Sequence, residues 1–278
     1  MKTLLTALLL TASCHVLAEC KPFKGLEGVV SLEPCRAGDT CVPATEAFYQ
    51  YLTKKTEESD DPTVLNFSAH ASPWHLYDSE MRILNIEDVA EMMKPYIQGG
   101  VKRIVLKASW SAVSPDRGEK SLTRKLSEAL GGFPVEGADG FLWISKDGSI
   151  RTTHQATTFF QGGGPYQIKS GSEVFASMLV GWQASLEDVF LRDKNANGIN
   201  AAGAAWDIFY LCPERALQAF ETAARYDNPI AAYNAAMIRL ERKSKSDLTA
   251  ATALLSQAAK AGDQKAQTRL AMLSKPAR

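Results

Sequence analysis

The sequence has few of the residues on which catalytic and metal sites usually depend. Of its 278 residues only four are histidine and five are cysteine, and no two cysteines stand in a Cys-x-x-Cys pair, the spacing of most structural zinc sites. Charge of one sign is also missing, because 31 basic residues balance 31 acidic ones. This balance argues against nucleic acid as a partner and against long-range attraction to anionic membranes.

Long apolar runs are equally scarce. One runs from about Leu4 to Leu10, and no later segment offers the roughly 18 apolar residues of a membrane span. Lys2 before this run and Val16-Leu17-Ala18 after it are typical of a secretory signal peptide, 1–18. An alternative is lipoprotein cleavage before Cys14. The sequence therefore predicts a periplasmic protein with no membrane span.

Four cysteines remain after cleavage at Ala18: Cys20, Cys35, Cys41 and Cys212. An even number in an exported chain favours two disulfides over a zinc site, and three connectivities can be drawn. Loop closure favours a local Cys35–Cys41 bridge. Cys20–Cys212 would then tie the N-terminal segment to the later part of the chain.

The chain divides into three regions after the signal peptide. Residues 19–42 carry glycine, proline and three cysteines, and are predicted to form an irregular strap. Strand and helix patterns alternate over 43–171, which indicates a small α/β domain. No strand pattern follows, so 172–278 are predicted to be all helical. The expected fold class is α+β.

Within the α/β domain the patterns place individual elements. Strands are predicted at 63–67, 101–109 and 140–145, each rich in β-branched or aromatic residues. Helices are predicted at 86–97 and 119–130. Pro95 should end or kink the first of these helices, because proline lacks the N–H that continues the backbone ladder.

The helical region contains an internal repeat. The segment "AFETAARYDNPIAAYNAAMI" (219–238) aligns with "LLSQAAKAGDQKAQTRLAML" (254–273) at a spacing of 35, which pairs Ala223-Ala224 with Ala258-Ala259. A period in the mid-thirties with two helices per unit indicates a helical solenoid. Paired alanines let the two helices of each unit approach closely.

These two segments resemble Sel1-like repeats, which are related to tetratricopeptide repeats. The resemblance rests on a paired-alanine helix, a Gly-Asp or Asp-Asn junction, and an alanine-rich opening of the next helix, with clear units at about 213–278. Asp227-Asn228-Pro229 departs from the pattern, since the usual junction glycine is missing. The helices of 172–212 are expected to form a degenerate first unit. The resemblance implies a surface for a protein ligand, and the alternative is a plain helical cap.

Two stretches carry residues that could bind metal. His70, His75 and Asp78 lie close together in "FSAHASPWHLYD", but the spacing matches no zinc signature, so these histidines and His154 are expected to be structural. In "DKNANGIN", Asp193, Asn195 and Asn197 follow the order of a calcium loop. Its twelfth position is an alanine, and Asp and Asn are ordinary turn formers. No cofactor is predicted.

Aromatic residues are the best candidates for contacts with a partner. Phe159, Phe160 and Tyr166 flank the glycine-rich "QGGGPY", and Tyr226 and Tyr233 lie in the repeats. The alternative is that the loop aromatics pack under their own loop. No paired-carboxylate, serine-elbow or Cys/His arrangement stands out, so no enzyme is predicted.

An exported chain that joins Sel1-like repeats to a domain without catalytic signatures resembles the immunity proteins encoded with type VI secretion effectors, particularly those that neutralise phospholipase D-type lipases. This resemblance implies an inhibitor that occludes the active site of a cognate toxic enzyme. One alternative is a periplasmic scaffold or regulator of an envelope enzyme. Another is a hydrolase that uses His70, His75 and His154. Helical repeats also leave a homo-oligomer open.

Overall fold

A computed structural model describes residues 18–26, 28–32, 61–116, 118–144, 150–159 and 183–274. It has a mixed α+β fold in which small sheets and two helices precede a helical C-terminal region. Apart from Ala18 the predicted signal peptide lies outside the described residues, as do the Cys35–Cys41 bridge and the loop at 161–166.

The described elements follow the predicted order of an α/β half and then a helical half. The strands are β1 (Gly28–Leu32), β2 (Val64–Ser68), β3 (His70–Ala71), β4 (Leu76–Tyr77), β5 (Ile83–Leu84), β6 (Arg103–Lys107), β7 (Val135–Gly137), β8 (Phe141–Ile144), β9 (Ile150–Thr153) and β10 (Gln155–Phe159). The helices are α1 (Ile86–Gln98), α2 (Leu122–Ala129), α3 (Glu187–Arg192), α4 (Ala196–Ile208), α5 (Pro213–Arg225), α6 (Pro229–Arg242), α7 (Lys245–Lys260) and α8 (Gln264–Leu273).

A parallel three-stranded sheet of order β2-β6-β7 is the centre of the α/β half. The strands and helices predicted for this half are confirmed as β2, β6, β8, α1 and α2. Ile104 and Leu106 of β6 are completely buried and pack in clusters that include Met93 of α1 and Leu126 of α2. This sheet and its two helices share one apolar core.

Helix α1 begins at a strong cap and runs past its proline. The side-chain oxygen of Asn85 accepts hydrogen bonds from the backbone N–H groups of Glu87 and Asp88 at 2.9 and 3.2 Å. Of the two effects expected of Pro95, an end of the helix is excluded, because the helix continues to Gln98. Pro95 lies in the last turn on the exposed side, so it removes only one bond of the ladder.

The N-terminal strap is more regular than predicted. Residues 28–32 form β1, which pairs in parallel with β10 along its whole length. The expectation of an irregular strap over 19–42 is therefore wrong for these residues. The stretch "GVVSL" has the β-branched residues of a strand, but the surrounding glycines and prolines obscure that signal in the sequence.

The strap is tied to both halves. Cys20 forms a disulfide with Cys212, the residue before α5, which confirms the predicted long bridge across 192 positions. Phe23 packs edge-on against Trp74 and Trp110, with ring centroids 5.7 and 5.1 Å apart. No helix within the described ranges has the length and hydropathy to cross a bilayer.

Within residues 183–274 the helical half forms three consecutive hairpins, α3–α4, α5–α6 and α7–α8. Each hairpin turns through one residue with positive φ, namely Lys194, Asp227 and Gly262. The residue that follows caps the second helix by accepting a backbone N–H three positions on, and these caps are Asn195, Asn228 and Asp263. Asp227 thus takes the left-handed conformation that the usual junction glycine would adopt. Asp tolerates this conformation better than most residues.

Small residues set the spacing between the helices. A Cβ on Gly203 of α4 would lie 2.7 Å from the Phe220 ring of α5, and one on Gly198 would lie 2.5 Å from Phe190. Most buried apolar side chains of this half are alanines, including Ala223, which stands where Phe190 stands one hairpin earlier. Glycine therefore lies opposite a large aromatic ring, and alanine lies opposite alanine.

Candidate functional site

A tight hairpin of the α/β half presents polar side chains to the helices. Strands β3, β4 and β5 form a small antiparallel sheet. Between β3 and β4 the chain turns at Ser72, whose N–H donates to the carbonyl of His75 at 3.0 Å. The Ser72 hydroxyl accepts the N–H groups of Trp74 and His75. This turn holds the side chains of Ser72, His75 and Tyr77 against the helical half.

All three side chains meet one carboxylate of helix α4. Oδ2 of Asp207 accepts hydrogen bonds from Ser72 Oγ at 2.6 Å, from His75 Nδ1 at 2.8 Å and from the Tyr77 hydroxyl at 2.8 Å. The Asp207 side chain is fully buried, and its Oδ1 has no hydrogen-bond partner among the described residues. A buried carboxylate needs such partners, because desolvation without them costs several kcal/mol.

His75 carries a positive charge in this environment. Its Nε2 lies 3.1 Å from Oε2 of Glu241, a half-exposed residue at the end of α6. Burial of the imidazole opposes protonation, but the carboxylates of Asp207 and Glu241 outweigh it and raise the pKa of His75 to about 10. The charge of His75 and its hydrogen bond lower the pKa of Glu241. An imidazolium therefore bridges two carboxylates from two helices. We call Ser72, His75, Tyr77, Asp207 and Glu241 the latch.

The latch joins the two halves of the chain and is not arranged for acid-base chemistry. Both ring nitrogens of His75 are engaged with carboxylates, so neither is free to take a proton from a nucleophile. Ser72 donates to Asp207 and not to His75. Burial and the charge of Asp207 hold the pKa of Tyr77 well above its ordinary value, which keeps the phenol neutral and donating. These bonds join the two halves of the chain.

Further polar contacts extend the joint along the hairpins. Asn234 of α6 accepts the N–H of Ile83 and donates to the carbonyl of Met81, each at 2.8 Å. Arg82 forms an ion pair with Asp263, the cap of α8, and lies over the Tyr233 ring at 5.2 Å. The α/β half thus contacts the second helix of each of the three hairpins.

The structure does not bring the predicted metal-type residues together. His154 stacks on Trp110 with ring centroids 5.7 Å apart. His70 lies exposed on β3, and Asp78 accepts backbone N–H groups of its own turn. Within the described ranges no three His, Cys, Asp or Glu side chains are grouped to hold a metal ion. Within the described residues the three histidines are not grouped in the way that a hydrolase site would need.

The calcium-like stretch begins a helix. Asn195 caps α4, which starts at Ala196, and its side-chain oxygen accepts the N–H of Gly198 at 3.0 Å. The side-chain oxygen of Asn197 accepts from Asn228 at 2.8 Å. The side-chain oxygens of Asn195 and Asn197 are therefore used in helix capping and in packing between hairpins, and Oδ1 of Asp193 accepts a hydrogen bond from Arg192 Nε at 3.2 Å.

The predicted partner-binding aromatics have different positions. Tyr226 is 37% exposed at the α5–α6 junction. Tyr233 is only 1% exposed, so its selection as a contact residue is wrong, since the repeat buries it beneath Arg82. Phe159 ends β10, but its side chain lies outside the described residues, as do Phe160 and Tyr166.

Near Tyr226 the helical half has an open groove on the side of α7. It has a volume of about 640 Å³ and is lined by Asp227, Pro229, Ala253, Ser256, Gln257, Lys260 and Ala261. Gln257 anchors its floor by donating to the carbonyl of Ala224 at 2.6 Å. The α/β half contacts the second helices of the hairpins, and α7 is a first helix. Among the described residues that line the groove, none belongs to the α/β half.

Sequence reasoning missed the main partner of His75. Asp207 is the only charged residue in the apolar run "INAAGAAWDIFYLC" (199–212). A lone acid in an otherwise buried helix requires a buried partner, and that signal pointed to an interaction without naming His75.

Comparisons with family models, with curated proteins and with solved structures find no match to this chain.

Proposed function

We propose that this protein is an exported, periplasmic protein-binding module whose hairpins form a short Sel1-like solenoid. Three successive hairpins with the same junction and cap support the solenoid. The Cys20–Cys212 disulfide supports export, because disulfides persist in oxidising compartments. The Sel1-like assignment itself rests on the sequence resemblance.

The groove beside α7 is the proposed contact surface. It combines an acid, Asp227, a base, Lys260, and small apolar residues such as Ala253, with Tyr226 exposed nearby. Tyrosine supplies a large contact area at low conformational cost, which suits an anchor residue. A groove of this kind can receive a loop or a helix of a folded protein.

The latch is the observation that carries the proposal. It fixes the α/β half against the second helices by buried charged bonds and leaves the groove side open. A preorganised surface loses little conformational entropy on binding, which favours tight association. Tight binding is what an inhibitor of a toxic enzyme requires. We therefore propose that the partner is a cognate effector enzyme, a type VI secretion lipase on the sequence resemblance, whose active site this protein occludes.

Capture from envelope and secreted fractions with the mature protein tests this function. We expect stoichiometric recovery of one enzyme, with its lipase activity silenced in the complex. Ala253→Arg should abolish recovery, since it fills the groove at an exposed position. Leu248→Arg is the matched control. It is exposed on the same helix but lies about 140° around it, and it should leave recovery unchanged.

The outcomes separate the competing functions. Recovery of an endogenous cell-wall enzyme that remains active would support a scaffold and contradict the inhibitor. Equal recovery by Ala253→Arg and by the unmodified protein would show that the groove is not the contact surface. Hydrolytic activity of the isolated protein, lost in His70→Ala, would favour the hydrolase.

A further inference from the structure

The last hairpin exposes a face that the inner hairpin buries. In α6, along which α7 packs, Ala236, Met237 and Ile238 are all buried. At the repeat spacing of 35 the equivalent residues of α8 are Ala271, Met272 and Leu273. Met272 is 50% and Leu273 is 41% exposed, and no further helix among the described residues covers them. Neighbouring exposed apolar side chains of this kind mark a surface for contact with another protein.

Helix α1 of the α/β half extends this exposed surface. Asp88, Met92 and Tyr96 follow each other at intervals of four and so share one face of α1. Met92 is 52% and Tyr96 is 57% exposed. Asp88 lines the same cavity of about 230 Å³ as Met272 and Lys265 of α8. We call the exposed apolar side chains on these two helices, Met92, Tyr96, Met272 and Leu273, the terminal face.

Charges of opposite sign border the terminal face. On α1 the exposed border is acidic, with Glu87, Asp88 and Glu91, although Glu91 also pairs with Lys94. On α8 it is basic, with Lys265 exposed and Arg269 half-buried, and among the described residues Lys265 makes a loose contact with Asp78 at 3.9 Å. A two-fold axis places the acidic helix of each copy against the basic helix of the other. Such a surface is self-complementary, as an isologous interface requires.

We propose that the terminal face binds the terminal face of a second copy of this chain, with α1 of each protomer against α8 of the other. This dimer is independent of the groove beside α7, which lies at the α5–α6 junction and stays free. Burying methionine, leucine and tyrosine at the centre with charge pairs at the rim is the usual anatomy of a specific protein interface.

The mass of the mature protein in solution tests the dimer. Sedimentation velocity over a concentration series should give twice the monomer mass. Met272→Glu places a charge at the centre of the interface twice per dimer and should weaken dimer affinity by roughly tenfold or more. Met92→Glu should do the same from α1. Leu248→Glu, at an exposed leucine of α7 outside the terminal face, is the matched control and should leave the dimer intact.

Charge reversal tests the two-fold arrangement itself. Asp88→Lys alone and Lys265→Glu alone should each weaken self-association, because each homodimer then faces like charges twice. Mixed together the two variants should form a heterodimer, in which both contacts between protomers are of opposite sign. Pairs within one protomer remain unfavourable in the mixture, so recovery on mixing can come only from contacts between chains.

Three results would overturn the proposal. The first is a monomer at every accessible concentration. The second is a dimer that Met272→Glu and Met92→Glu, both verified as folded by circular dichroism, leave unchanged. The third is failure of the two charge variants to associate on mixing. If the protein is monomeric and Met272→Glu prevents capture of a different protein, the terminal face belongs to that partner.

Discussion

The two halves of the molecule are packed by different means. In the α/β half, large side chains such as Trp110, Met93 and Leu126 fill the core around a small parallel sheet. In the helical half, alanines dominate, and glycine appears where a ring must fit, as at Gly203 against Phe220. Large residues can repack around a change, whereas closely approaching helices leave little room. The helical half should therefore tolerate added volume poorly.

The contact between the two halves uses neither large apolar side chains nor closely packed alanines. It is built from a buried imidazolium, a buried carboxylate and an amide, supplied by His75, Asp207 and Asn234. A polar joint fixes one relative arrangement, because each donor must meet its own acceptor. Two apolar surfaces could shift relative to each other with a smaller loss of interaction energy. This specificity fixes how the α/β half lies against the helical half.

Breaking the joint should have the largest effect. His75→Leu leaves the fully buried carboxylate of Asp207 without its charge partner, and should lower the free energy of unfolding by about 3 to 5 kcal/mol. Urea unfolding of the mature protein measures this loss. Lys94→Ala, which removes an exposed ion pair with Glu91, is the control and should change stability by less than about 1 kcal/mol. Equal effects of the two changes would contradict a structural role for the latch.

The pH dependence of stability should distinguish the joint from either half. The pKa of His75 is raised to about 10 in the folded protein from an ordinary value of 6.5. Its contribution is therefore complete below about pH 6.5 and is lost as the pH rises towards 10, with a slope on the order of 1 kcal/mol per pH unit. Unfolding of the unmodified protein should show this decline between pH 7 and 9. In His75→Leu the decline should be absent, and a parallel decline in both proteins would assign it to other groups.

A smaller effect should sharpen the contrast in packing. Gly203→Ala places a methyl group against the Phe220 ring and should destabilise the protein by about 1 to 2 kcal/mol, the usual cost of overpacking. Adding Phe220→Leu should recover part of this loss, because it brings the pair to the alanine and leucine found one repeat later, at Ala236 and Leu255. Thermal unfolding of the unmodified protein, Gly203→Ala and the double variant measures both changes. A double variant less stable than Gly203→Ala would contradict the matching of ring to glycine.

The sequence predicts those parts of the structure that depend on local pattern. Period-two and helical spacing identify β2, β6, α1 and the hairpins after residue 213, and cysteine pairing identifies Cys20–Cys212. The latch could not be predicted in the same way, since His75 and Asp207 are separated by 132 positions and no local signal pairs them. Tyr233 was misjudged for a related reason, because the helical core and Arg82 of the other half both pack against its ring.

A double-mutant cycle between His75 and Asp207 tests most directly the claim that a buried charged joint holds the two halves as one unit. The unmodified protein, His75→Leu, Asp207→Asn and the double variant would be unfolded in urea at pH 6. The account predicts that the double variant loses clearly less stability than the two single losses together, with a coupling of about 2 kcal/mol or more. A coupling near zero would mean that the two side chains do not stabilise each other, and would contradict the latch.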